Sequence, residues 1–277
     1  MNKLLSANFS RLKKDVFFRI AVLFMLSLGI LMPVSSYLEM KKYDVVISLE
    51  SGFCLYAVFM AILSSVFCSL FIGTEYNDGT MRNKLIAGHS RIAIYFSFLI
   101  VSAAAVSFMC LVYILSNICI GTPLLGPFSN GSFRIILGYM GCIFALSAAF
   151  TAICTSVAML CQNKAATAVI CILGVFILLF LGVYMEARLM EPEYYEAYYY
   201  GNDEEEEDSG PIPNPTYIRG TKREIYEFLH DFLPGNQAVR LSAMSAVHLW
   251  KQSFYSILIA IVSTGVGIYI FYRENIN

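Results

Sequence analysis

The residues able to make or break bonds are few in this chain, and their spacing argues against catalysis. Of the three histidines, His89 is expected on the opposite side of a membrane from His230 and His248, so the three are not expected to share a metal ion. The eight cysteines lie within or at the ends of apolar runs, with no C-x-x-C pair. That distribution suits small apolar packing residues better than zinc ligands or a disulfide framework. No G-x-x-x-x-G-K-[ST] phosphate loop, H-E-x-x-H helix or G-x-S-x-G elbow occurs in the 277 residues. The chain is therefore expected to hold no metal or cofactor, to catalyse nothing by itself, and to take any energy it needs from a partner.

Charge recognition is the chemistry that remains, and it concentrates in the stretch Gly73 to Arg91, GTEYNDGTMRNKLIAGHSR. Thr80 follows an Asp78-Gly79 turn in an N-cap position. Met81, Leu85 and Ile86 form a short apolar face, and Gly88 stands where a C′ glycine stops a helix. Ser90 is placed to cap the long helix that follows. The pattern predicts about two turns of amphipathic helix between two apolar segments, a rigid knuckle at a membrane surface. Periodicity alone favours the plainer reading of this helix, an interfacial element that satisfies its own backbone.

The elements that would carry this knuckle are apolar. Hydrophobic residues make up 58% of the chain and charged residues only 14%, far from the roughly 25% charged of a soluble domain. Six segments of spanning length are predicted, about 18–38, 52–72, 92–120, 133–161, 165–185 and 252–272, each near or above the ~20 residues that a bilayer requires. None alternates as a barrel strand would, so all are expected to be helices. No ionisable side chain lies mid-span, which argues against a proton- or ion-coupled carrier. Spans three and four are rich in small residues, Ser102 to Ala105 and Ala145 to Ala152, consistent with close helix packing within one subunit or with a dimer seam.

Residues 1–17 place Leu5, Phe9, Leu12 and Val16 at helical spacing among Lys3, Arg11, Lys13 and Lys14, which predicts a basic amphipathic helix resting on anionic lipid. Lysine and arginine asymmetry sets the orientation. With the N-terminus inside, the inner side receives Lys3, Arg11, Lys13, Lys14, Arg19, Arg82, Lys84, Arg91, Lys164 and Arg273, whereas the short outer loops receive Lys41 and Lys42, with Arg134 at a boundary. Both termini and the knuckle are thus expected in the cytoplasm, with the protein multi-pass in the plasma membrane of a bacterial cell.

The loop over 186–250 is expected outside. It opens with acidic residues and tyrosines, runs through Asp203 to Asp208, and then meets Pro211, Pro213 and Pro215, which are expected to prevent regular structure. Ile218, Ile225, Phe228, Leu229, Phe232 and Leu233 predict an amphipathic helix ending at Pro234-Gly235, with a second helix over Asn236 to Trp250.

The spelling of the knuckle resembles the cytoplasmic coupling segment of ABC-2 type ABC-transporter permeases, and small Gram-positive peptide or antibiotic exporter permeases in particular. The resemblance is carried by Gly73, Glu75, Tyr76, Gly79, Thr80, Arg82, Lys84, Leu85, Gly88, Ser90 and Arg91, with Met81 on the same helix. F-L-P-G-N-Q, including Phe232, Leu233, Pro234 and Gly235, resembles the outer re-entrant pair before that family's last span, and residues 1–17 resemble its elbow helix. The resemblance implies an all-α polytopic membrane protein, one permease domain over 1–277, in which the coupling residues meet a separate ATPase and the outer pair gates a path. Its implied partners are two ABC ATPase subunits, which would bind ATP and Mg, a second permease copy or homologous permease, and membrane lipids, with no nucleic acid. The implied activity is export of an amphiphilic substrate, with antimicrobial or amphipathic peptides as the best guess. An ATPase-independent channel, carrier or immunity protein is the alternative.

Overall fold

The computed structural model describes residues 1–128, 132–195 and 212–273. Among them, six helices are long and apolar enough to cross a membrane: α2 (Val16–Tyr43), α3 (Tyr56–Asn77), α5 (Arg91–Leu125), α6 (Ser132–Cys161), α7 (Lys164–Leu189) and α10 (Leu249–Arg273). The shorter helices are α1 (Asn2–Lys14), α4 (Thr80–Ile86), α8 (Thr221–Phe232) and α9 (Pro234–Ser242). Several long helices run past the apolar windows that announced them. The 35 residues of α5 extend to about 52 Å at 1.5 Å per residue, well beyond a ~30 Å hydrocarbon core, and end only at Gly126.

The six long helices form two tiers. In their most apolar stretches, half to two thirds of the residues of α3, α5 and α6 are buried inside the protein, against 17–28% for α2, α7 and α10. Each central helix carries one outer helix along it: α2 lies on α5, α7 on α3, and α10 on α6. Large apolar side chains such as Phe180 on α7 and Ile261 on α10 therefore point away from the bundle, as a hydrocarbon solvent allows. Ser102, Ala105, Ser147, Ala149 and Ala152 are buried between helices of this one chain, so these small residues serve packing within the subunit. Six of the eight cysteines are buried and all are free.

Successive spans run in alternating directions, which gathers α1, α4 and the start of α7 at one end with the end of α10. This is the basic end. At the far end α8 lies half exposed, while α9 is inserted among α3, α6 and α7. The insertion depends on Gly235: a Cβ there would sit 2.0 Å from the Leu178 carbonyl oxygen of α7, a backbone atom with no room to yield.

Three local expectations need correction. The amphipathic N-terminal helix stops at Lys14 rather than 17, because Asp15 adopts an extended backbone and caps α2 by accepting from Phe18 N at 2.8 Å. The second outer helix covers Pro234–Ser242 instead of 236–250, since Pro234 is preset for the first helical turn and Met244 takes a left-handed backbone (φ 53°) that breaks the chain before α10. The stretch around the prolines is not wholly irregular, because Ile212–Pro213 pairs antiparallel with Tyr194–Tyr195. The buried Asn214 holds that base, donating to the Glu191 carboxylate and the Pro192 carbonyl and accepting from Thr216 N. Pro211 and the acidic run Asp203 to Asp208 lie outside the described residues.

Gly235→Ala is expected to lower the stability of the chain in detergent by about 1–3 kcal/mol through overpacking against α7. Gly174→Ala, where a Cβ would meet nothing within 4 Å, should be neutral or stabilising by up to about 1 kcal/mol. Thermal melts of the two purified variants compare them directly.

Candidate functional site

The basic end is organised around one carboxylate. Glu75 sits in the last turn of α3 and is 5% exposed, a position where an unpaired charge would be costly. Three side chains answer it. Arg11 of α1 forms an ion pair with Glu75 Oε1, and Lys84 of α4 approaches Oε2 at 2.7 Å. The Thr80 hydroxyl, on the first residue of α4, donates to the same Oε2 at 2.5 Å.

The two cations are themselves held. The Arg11 guanidinium donates to the Phe71 carbonyl at 2.8 Å and lies 4.5 Å from the centre of the Phe71 ring. Lys84 Nζ lies 4.3 Å from the Phe98 ring centre and donates to Asn8 Oδ1 at 3.2 Å. Asn8, on the buried stripe of α1, donates in turn to Ser97 of α5 at 2.9 Å. Burial pushes the Lys84 ammonium below the usual lysine range, the Glu75 carboxylate pulls it back in part, and the nearby Arg11 charge adds to the fall. The result is a hydrogen-bonded knot of α1, α3, α4 and α5.

The turns on either side of α4 are equally defined. Gly79, at φ 68°, is the N-cap, so Thr80 is the first helical residue and not the cap. Its hydroxyl is thereby free to turn back to Glu75. At the other end Gly88 takes φ 82°, Gly88 N donates to Leu85 O, and His89 N donates to Lys84 O. These are the two bonds of a Schellman ending. Ser90 accepts from Ala93 N at 3.3 Å and caps α5 as expected.

The faces of α4 differ from expectation. Met81 is buried, and Leu85 packs partly buried against the protein's own core. Tyr76 donates to the Met159 carbonyl of α6 at 2.8 Å, and Arg91 donates to the Phe271 carbonyl of α10 at 2.8 Å. Most of the sequence-predicted coupling residues thus fix the knuckle from within. The surface turned outward is made by Arg82, Asn83, Ile86 and Ala87, with Ile86 75% exposed. Beside it, an open groove of about 340 Å³ runs between α1 and α4, lined by Lys3, Leu4, Ala7, Asn83 and Ala87.

Sequence reasoning missed Arg11, Asn8 and Ser97 as members of this site. Helical spacing predicts an α1 stripe of Leu5, Phe9, Leu12 and Val16, whereas the buried residues are Leu4, Asn8 and Leu12. A lone asparagine at i, i+4 spacing between two leucines was the available signal.

At the far end, Phe232, Leu233, Pro234 and Gly235 form the joint between α8 and α9. Phe232 stacks on Phe228 and meets the edge of Tyr255, both at 5.7 Å between ring centres. Asn236 and Gln237 fold back from α9 to donate to the carbonyls of His230, Asp231 and Phe232, satisfying the end of α8. Arg240 pairs with Asp231 at 2.5 Å, and His230 meets Glu186 of α7 at 2.5 Å. Glu186 is therefore part of the packed structure, not of a solvated acidic loop. Among the described residues no group of three or more His, Cys, Asp or Glu side chains is arranged to hold a metal ion.

No family model, curated protein or solved structure matches this chain.

Replacing Glu75 by Gln would leave Arg11 and Lys84 crowded together without their carboxylate. The loss of stability should be about 3 kcal/mol, in the range for breaking a buried pair on one side. Arg82→Gln on the exposed face should stay within about 0.5 kcal/mol of the parent. Melting in detergent, together with limited proteolysis mapped to 78–91, would distinguish the two.

Proposed function

We propose that this chain is the membrane permease subunit of an ATP-driven exporter of the ABC-2 kind, with its basic end in the cytoplasm of a bacterial cell. Two copies, or this chain and a homologous one, would work with two separate ATPase subunits that bind ATP and Mg. The observation that carries the reading is the Glu75 knot. A short helix between spans two and three is locked by charge and by both its turns to the N-terminal helix and to two central spans. A helix held this firmly transmits a push to the spans, whereas a loosely tethered loop would absorb it.

The direction of transmission follows from the contacts. Force delivered to Arg82, Asn83 and Ile86 would pass through Lys84 and Thr80 to α3 and through Asn8 and Ser97 to α5. Arg91 would carry it to the end of α10. At the opposite end α9 is wedged among α3, α6 and α7, so a tilt of the central helices would change the space available to it. An outward-opening path for an amphiphilic cargo, such as an antimicrobial or amphipathic peptide, fits that arrangement and the absence of mid-span charges from the sequence.

The docking face proposed from this geometry is Arg82, Asn83, Ile86 and Ala87 rather than Met81 and Leu85. Ile86→Asp should abolish co-purification of a phosphate-loop ATPase with the tagged chain, and export with it, while leaving the melting temperature unchanged. Leu85→Asp should lower the melting temperature itself, because it places a carboxylate against the core. Retention of full ATPase association and export by Ile86→Asp would remove the coupling role from α4.

A further inference from the structure

The basic end carries a second cluster of cations that the knot does not use. Lys14 at the end of α1 and Lys164 at the start of α7 line an open pocket of about 320 Å³ together with Arg11, Thr74 and Phe17. Among the described residues neither lysine lies within ion-pair distance of a carboxylate. Arg11 faces the same space while its charge is shared with Glu75. Asp15, the one carboxylate in the lining, is directed to the start of α2, where it accepts from Phe18 N. The pocket is therefore net positive.

Its position is set by the backbone. Gly73 lets α3 come against the first residue of α7: a Cβ at Gly73 would lie 2.9 Å from Lys164 Cα. That approach carries Lys164 alongside α1. Lys14 closes α1 just before α2 begins, and Thr74 and Lys164 stand at the ends of the apolar helices α3 and α7.

Phe17 joins this pocket to another. The same ring lines an apolar groove of about 310 Å³ between α2 and α3, continued by Ile20, Phe24, Phe59, Leu63 and Val66. The groove exists because α2 packs along α5 and diverges from α3. A headgroup-sized cationic space beside an apolar slot has the form of a single phospholipid.

We propose that this is a binding site for one anionic phospholipid, its phosphate held by Lys14 and Lys164 and one acyl chain lying between α2 and α3. This goes beyond the diffuse attraction of a basic helix to an acidic leaflet. It names one occupant, one headgroup pocket and one groove.

The test is native mass spectrometry of the full chain in detergent, with phosphatidylglycerol and phosphatidylcholine of identical acyl chains. Phosphatidylglycerol should be retained preferentially, and Lys14→Gln and Lys164→Gln should each weaken retention about fivefold. Ile20→Trp, which fills the groove from an exposed position on α2, should lower retention without touching the cations. Excess glycerol phosphate should fail to displace the lipid. Equal retention of the two lipids, or insensitivity to the double lysine variant, would overturn the site. Displacement by glycerol phosphate would reduce it to a free-anion pocket, and a lipid-independent dimer abolished by Ile20→Trp would assign the groove to a second copy; either outcome rejects the proposal. Melting temperatures in lipid-free detergent show that each variant is folded. Because these lysines lie off the proposed ATPase face, loss of the lipid site and loss of the coupling role are read separately.

Discussion

A carboxylate at the end of an apolar helix has to be neutralised by neighbours, and Glu75 recruits them from three other segments. One ion pair with Lys84 would fix α4 alone. Adding Arg11 brings in α1, and the Asn8–Ser97 bond that steadies Lys84 brings in α5. Removing one partner from such a network leaves the others buried without compensation, so its members hold or fail together. The geometry of the whole basic end follows from that requirement.

The far end meets a different constraint with different means. There the difficulty is backbone: α8 ends and the buried α9 begins within a few residues. Asn236 and Gln237 resolve it by returning their amides to the last carbonyls of α8, and Ser256 of α10 then donates to Gln237 at 2.6 Å. The same side chains that end one helix thereby attach the next to the final span.

Much of this was legible in the sequence because hydrophobic length and helix punctuation are local signals. The six long helices, the short helix after Gly79, its stop at Gly88 and the capping role of Ser90 all follow from spacing over a few residues. What could not be read locally was which face of α4 turns inward. Its apolar residues fit an outside cleft as well as the chain's own core, and only the Glu75 pairing, nine residues away on one side and sixty-four on the other, rotates Lys84 and Leu85 inward. Asn8 escaped notice for a related reason, since a polar residue on an apolar stripe has meaning only once its partner is known. Glu186 was grouped with acidic neighbours in sequence, although the helix continues through it and delivers it to His230.

The position of the knot along the chain also bears on how the protein is made. Asn8, Arg11, Glu75, Thr80, Lys84 and Ser97 all precede the middle of α5, so every member is available before α6 has left the ribosome. Domains and subdomains generally form in the order of synthesis. The N-terminal helix, spans two and three and the short helix between them can therefore settle together during insertion, leaving α6, α7 and α10 to add around a base already set. Arg91, whose acceptor lies in the last residues of α10, closes the assembly only once α10 has been made.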